Sequence, residues 1–154
     1  MTTAAASLVF AWGNPSRGDD ALGPRFIERL ELLSAEHSEW SELELQTDFQ
    51  LQIEHALDLR NKRRVLFVDA SVDCGAPFTV ATIGPARDHS FSSHALSPQA
   101  VLQVYRDVEG REPPPAQLLA IRGERFELGE ELSAAATRHL EAALSWAADW
   151  LATP

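Results

Sequence analysis

The chain of 154 residues contains a single cysteine, Cys74, which excludes an intrachain disulfide and is typical of a reducing compartment. Cationic residues are also few, since 13 Lys and Arg stand against 23 Asp and Glu for a net charge of −10. Nucleic acids and anionic membranes attract basic surfaces, so this composition argues against both as partners. The sequence has neither an apolar run that could span a membrane nor basic residues in 1–6 of the kind found in signal peptides. We therefore expect a cytoplasmic protein in which residues 1–154 form one domain.

Several catalytic signatures are missing as well. The sequence has no GxSxG nucleophile elbow, which argues against a serine hydrolase, and no HExxH or CxxC pattern of the common zinc sites. The one cationic cluster, residues 60–64, contains Arg60, Lys62, Arg63 and Arg64. We interpret it as the solvated end of a helix, where cations complement the helix dipole.

Along its length, the sequence alternates between strand and helix patterns. Continuous apolar runs at Leu8–Trp12 and Val65–Val68 are typical of parallel strands that are covered on both faces. Three further strands are predicted at residues 43–49, 78–83 and 117–121, and four helices at 22–33, 50–59, 98–108 and from a Ser133 cap onward. This order predicts a three-layer α/β/α sandwich with a mostly parallel, roughly five-stranded twisted sheet. Because the 78–83 strand follows Val68 too closely for a crossover helix, we expect it to be an antiparallel edge strand.

The segment after the first strand is the most informative part of the chain. Gly13 and Gly18 have the spacing of a phosphate-binding loop, but Asp19 and Asp20 stand where such a loop has Lys and Ser or Thr. Two carboxylates would repel a phosphate and attract a cation. Ligand sites of α/β proteins lie at the carboxyl ends of the strands, so this loop indicates a metal-facing site.

Two more side chains are candidates for the same site. Asp69 ends the apolar strand 65–68, and His94 lies in a polar loop before the third predicted helix. Two carboxylates and one imidazole form a three-ligand set with open positions, suited to a borderline divalent metal such as nickel or zinc. Each also has a plainer interpretation, Asp69 as a turn cap and His94 as an exposed loop residue.

The motif Gly13-Asn14-x4-Asp19-Asp20-x2-Gly23, followed by Asp69 and His94 in this order, resembles the hydrogenase maturation proteases. These endopeptidases trim the C-terminus of the large-subunit precursor of [NiFe] hydrogenases, and the resemblance covers nearly the whole chain. It is greatest to the branch that serves cytoplasmic, NAD-coupled hydrogenases. Two departures stand out: the family often has glutamate at the position of Asp20, and many members carry Asp-Gly-Gly-Thr where this chain reads Thr47-Asp48-Phe49-Gln50.

The resemblance implies that Asp20, Asp69 and His94 are catalytic and bind nickel, which the precursor supplies. Asp19 is a candidate general base or a support for the ligands, with the helix N-cap as its structural alternative. Which of Asp19 and Asp20 contacts the metal stays open, as does whether the metal serves recognition, Lewis-acid chemistry or both. The resemblance implies no organic cofactor.

Three other functions remain open. The chain could be a non-catalytic nickel-site chaperone for hydrogenase assembly or a small nucleotide-binding α/β module. It could also be a cysteine peptidase that pairs Cys74 with His94, although a lone cysteine is more often a small buried or turn residue.

Overall fold

The computed structural model describes residues 6–40, 42–87 and 96–153. These residues form one five-stranded sheet with the strand order β2-β1-β3-β5-β4. The strands are β1 Ala6–Trp12, β2 Leu43–Asp48, β3 Lys62–Ser71, β4 Phe78–Ile83 and β5 Ala116–Arg122. The α-helices are α1 Leu22–Ser34, α2 Pro98–Glu109 and α3 Ala134–Ala152, and two 3₁₀ helices span Gly18–Ala21 and Ile53–Leu59.

The sheet is parallel except at one edge. β1 pairs in parallel with β2 and β3, and β3 pairs in parallel with β5. β4 pairs antiparallel with β5 at the edge of the sheet. The predicted fold class is therefore confirmed, including the antiparallel edge strand that the short connection required.

Apolar spacing explains how the helices cover the two faces. Leu22, Phe26 and Leu30 lie one turn apart on α1 and are fully buried. α3 begins after Ser133, whose side chain accepts a hydrogen bond from the backbone N–H of Ala136, as the sequence predicts. α1 and α3 pack on one face of the sheet, and α2 and the second 3₁₀ helix pack on the other. Each face thus has its own apolar core, which accounts for the three layers.

Two predictions about local structure are wrong, one of them only in part. The helix predicted at residues 50–59 is a shorter 3₁₀ helix, Ile53–Leu59. The basic cluster is only in part the end of a helix, because Arg60 is the C-cap residue of the second 3₁₀ helix but Lys62, Arg63 and Arg64 lie in β3. The connection between the second 3₁₀ helix and β3 is only two residues long, so the chain enters the sheet within the cluster. No helix in the described ranges combines the length and apolar character needed to cross a membrane.

Candidate active site

The carboxyl ends of three neighbouring strands bring the candidate residues to one edge of the sheet. β1 ends at Trp12, β2 ends at Asp48 and Asp69 lies near the end of β3. The register pairs Trp12 with Asp48, and the backbone N–H of Gly13 donates to the carbonyl of Asp48, 3.0 Å away. This is the edge at which parallel α/β sheets place their ligand chemistry.

Asp20 closes the loop that follows β1. Its Oδ2 accepts a hydrogen bond from the backbone N–H of Asn14 at 2.7 Å. Gly13 has a φ of +151°, and a Cβ at that position would collide with the carbonyl oxygen of Asp20. The glycine is therefore required both by the backbone conformation and by the close packing of Asp20 against the loop.

Asp69 is a buried carboxyl group whose surroundings favour its neutral form. Burial raises the pKa of its carboxyl to about 7, and the negative charge of Asp20 adds to this rise. The 3₁₀ helix that carries Asp20 contacts β3. The structure thus places Asp20 near enough to Asp69 for their negative charges to interact, and a cation at this point would relieve the repulsion.

Asp19 points away from this pair into the protein. Its side chain is fully buried, and it accepts four hydrogen bonds: from the backbone N–H groups of Glu124, Arg125 and Ser133 and from the Ser133 hydroxyl. A carboxylate offers about four acceptor positions, so these bonds use its capacity. Burial by itself raises the pKa of Asp19, but the four hydrogen bonds outweigh it and lower the pKa below 3.8.

The structural alternative for Asp19, that it is the N-cap of the helix that follows it, is wrong. The residue at the cap of the 3₁₀ helix is Arg17 and that of α1 is Ala21, and neither side chain makes a capping hydrogen bond. Asp19 bonds instead to Ser133, the N-cap of α3, more than 100 residues later. It fastens the start of α3 to the loop that carries Asp20.

Backbone hydrogen bonds also link the loop before α1 to the segment before α3. Gly18 donates to the carbonyl of Glu130 at 3.0 Å, and Gly129 donates to that of Ser16 at 2.7 Å. The N–H of Asp19 donates to the carbonyl of Arg125 at 2.6 Å. The loop between β1 and α1 is therefore held along its length by the segment before α3, which limits how far Asp20 can move.

Sequence reasoning missed a third carboxylate at the same edge. Asp48 is half exposed, and its Oδ2 lies 3.1 Å from Nε2 of the buried His55. Since Nδ1 of His55 accepts the backbone N–H of Gln52 at 2.8 Å, the proton of the neutral ring lies on Nε2 and is donated to Asp48. The available sequence signal was the position of Asp48 at the carboxyl end of a predicted strand.

The third predicted ligand, His94, lies outside the described residues. Within the ranges 6–40, 42–87 and 96–153, no group of three His, Cys, Asp or Glu side chains is placed to hold a metal ion. The convergence of Asp20 and Asp69 is thus observed, and the complete three-ligand set stays a prediction. Cys74 is half-buried in the turn after β3, and its thiol lies 3.5 Å from the carbonyl oxygen of Ala120.

The comparisons with known proteins find matches among solved structures but none among family models or curated sequences. Among solved structures, the [NiFe] hydrogenase maturation protease HycI from Thermococcus kodakarensis KOD1 is similar with a TM-score of 0.75 and 21% identity, over 97% of this chain and 94% of that one. The hydrogenase maturating endopeptidase HybD from E. coli has a TM-score of 0.71 and 22% identity, over 95% and 91% of the two chains. The [NiFe] hydrogenase maturation protease HybD from Thermococcus kodakarensis has a TM-score of 0.64 and 15% identity, over 95% and 99%.

These similarities establish the fold. The chain has the α/β architecture of the hydrogenase maturation proteases along almost its whole length, although its sequence has diverged to about one identical residue in five. The fold resemblance predicted from the Gly13–Gly23 motif is confirmed. What the site does is a separate question, because one fold can carry unrelated functions.

Proposed function

We propose that this chain is an endopeptidase that removes the C-terminal extension of a [NiFe]-hydrogenase large-subunit precursor. The observation that carries the proposal is the placement of Asp20 and Asp69 together at the carboxyl edge of a sheet with the fold of the maturation proteases. The raised pKa of Asp69 supports it, since a carboxylate pair without a cation is electrostatically unfavourable. The assignment to the branch that serves cytoplasmic, NAD-coupled hydrogenases and the cytoplasmic location remain predictions.

We further propose that Asp20, Asp69 and His94 recognise nickel carried by the precursor, so that the metal is part of the substrate. An incomplete set of three donors gains binding energy only from a precursor that is already loaded, which is a difference in affinity of the kind that specificity requires. When bound there, a divalent metal polarises a carbonyl or lowers the pKa of a water molecule.

Asp19 has a different role in this proposal. With its four acceptor positions filled and no exposed surface, its carboxylate cannot take a proton from a substrate water without breaking internal bonds. We assign it the support role and not that of the general base. It positions the loop of Asp20 against the segment before α3.

The test is to incubate the full chain with nickel-loaded precursor and to record the intact mass of the precursor. Loss of a C-terminal fragment is expected with the wild type, and no loss is expected with Asp20→Asn, Asp69→Asn or His94→Ala. Asp107→Asn is the matched control, because Asp107 is an exposed carboxylate of α2. Unchanged cleavage by the His94→Ala variant would contradict its role in metal recognition.

The same assay separates the alternatives. A chain that binds the loaded precursor but never shortens it is a non-catalytic nickel-site protein. A cysteine peptidase would lose cleavage after alkylation of Cys74, whereas the proposed enzyme keeps it. The nucleotide-binding alternative is disfavoured because the backbone N–H of Asn14, in the loop where a phosphate would bind, already donates a hydrogen bond to the carboxylate of Asp20.

A further inference from the structure

A second candidate site lies at the opposite, amino edge of the sheet. A cavity of about 350 Å³ opens there between α2 and α3, at the starts of β3 and β5 and the end of β4. Its volume falls within the range of small-molecule pockets in proteins. Arg64, which lines the cavity, and Asp69 are five positions apart on β3, a distance of about 16 Å along an extended strand. The cavity is therefore separate from the candidate active site.

A β-bulge brings two successive arginines to one buried hydroxyl beside this cavity. The register of β1 against β3 shifts between Ala6 and Ser7, so that Lys62 pairs with Ala6 and Arg64 pairs with Ser7. Arg63 is the extra residue, and bulges redirect side chains in this way. As a result, Nη2 of Arg63 and Nε of Arg64 both donate to Oγ of Ser7, each at 2.9 Å.

These two guanidinium groups have no carboxylate partner within the described ranges. Their cationic neighbours in sequence do: Arg60 pairs with Glu109, and Lys62 pairs with Glu44 at 3.1 Å. Nη2 of Arg64 is also buried without a hydrogen-bond partner in the described part of the chain. Burial lowers the pKa of Arg64, and the positive charge of Arg63 lowers it further, although a guanidinium keeps its charge in proteins.

Arg63 is exposed and Arg64 is partly buried, so the cost of this arrangement falls mainly on Arg64. An unpaired buried donor costs free energy, and two adjacent cations repel each other. Both costs fall when an oxyanion binds, because a carboxylate accepts charge-assisted hydrogen bonds from a guanidinium group. Two adjacent arginines without a carboxylate, one of which has a buried donor without a partner in the described residues, therefore suit an anionic ligand at this point.

The rest of the cavity indicates what the anion is attached to. The guanidinium of Arg64 lies 3.7 Å from the centre of the Trp150 ring, whose Nε1 donates to Gln117 at 2.7 Å. The stacked guanidinium is thus held at the wall of the cavity. Most of the other lining residues are apolar: Val65, Ile83, Pro85, Leu102, Pro113, Pro114, Pro115 and Ala116. Glu112, the one carboxylate among the described lining residues, is paired with Arg106 at 2.9 Å.

We propose that this cavity binds a small carboxylic acid with an apolar body, with the carboxylate on Arg64 and the apolar part against Leu102 and the 113–115 proline segment. Arg63 contributes positive charge beside the carboxylate. The site does not depend on the proposed peptidase activity.

The experiment titrates the full chain with hexanoate and follows the indole N–H signal of Trp150 by NMR. Saturable binding of hexanoate is expected, with little or no binding of methyl hexanoate, the neutral ester. Arg64→Gln is expected to weaken hexanoate binding at least tenfold. Arg29→Gln is the matched control, because Arg29 pairs with Glu141 on the surface between α1 and α3, and it should bind hexanoate as the wild type does.

Three outcomes would overturn the proposal. One is the absence of saturable hexanoate binding, and another is equal binding of the acid and its ester by the wild type, a comparison that needs no variant to fold. The third is competition in which inorganic phosphate binds as tightly as hexanoate, which would mean a site for simple oxyanions. Arg64→Lys keeps the charge but loses the planar guanidinium that stacks on Trp150, so it should bind hexanoate more weakly than the wild type, and undiminished binding would also count against the proposal.

Discussion

The carboxylate of Asp19 accepts two hydrogen bonds from Ser133, one from its backbone N–H at 2.7 Å and one from its hydroxyl at 2.8 Å. Ser133 in turn caps α3 by accepting the N–H of Ala136 at 3.1 Å. One buried carboxylate therefore links the loop that presents Asp20 to the start of the longest helix. The position of the candidate site depends on this link between the two ends of the chain.

Replacing Asp19 by Asn should destabilise the protein by about 2–4 kcal/mol. All four partners are donors, so the amide group of Asn would place its own N–H groups against them. Chemical denaturation at neutral pH measures the effect. Asp107→Asn, an exposed control, should change the free energy of unfolding by less than about 0.5 kcal/mol. Equal stability of the two variants would refute the structural role of Asp19.

The contribution of Asp19 to stability should depend on pH in the acid range. Its pKa in the folded state is lower than the ordinary 3.8, so the folded protein binds fewer protons there than the unfolded chain. The stabilisation is therefore complete above about pH 4 and is lost as the pH falls through the folded-state pKa. The difference in free energy of unfolding between wild type and Asp19→Asn should shrink between pH 6 and pH 3. A difference that stays constant over this range would contradict the prediction.

The contribution of Asp69 to stability should depend on pH in the opposite direction. Its pKa rises from 3.8 to about 7 in the folded protein, so the folded state holds a proton that the unfolded chain releases, and stability falls as the pH rises through this window. In metal-free buffer at pH 8, Asp69→Asn should be more stable than the wild type by on the order of 2 kcal/mol, allowing for partial solvent screening. The gain should disappear near pH 4. A variant less stable than the wild type at pH 8 would contradict the raised pKa of Asp69.

Gly13→Ala should destabilise the protein by more than about 2 kcal/mol, because the residue has a φ of +151° and a Cβ would collide with Asp20. Gly84→Ala is the matched control: a Cβ there meets no atom within 4 Å, and the expected change is within about 0.5 kcal/mol. Thermal unfolding compares the two. Similar melting temperatures would mean that the loop can rearrange around position 13.

Much of the fold could be predicted from local patterns. The continuous apolar runs in β1 and β3 identified buried parallel strands, and the short connection before β4 required an antiparallel edge strand. The pattern failed for the second 3₁₀ helix and for the cluster at residues 60–64. There the chain passes from helix to strand within two residues, and charged side chains carry no periodic signal that distinguishes the two.

By itself, the sequence determined that Asp20 and Asp69 reach the same edge, because the carboxyl ends of adjacent parallel strands must lie side by side. Only the tertiary structure showed how the surroundings of Asp19 and Asp20 differ. The two are neighbours in the chain and alike in chemistry, and their roles separate because a segment more than 100 residues away supplies four donors to Asp19 and leaves Asp20 beside Asp69. Contacts between such distant segments form only when the chain is packed, so no local pattern could predict them.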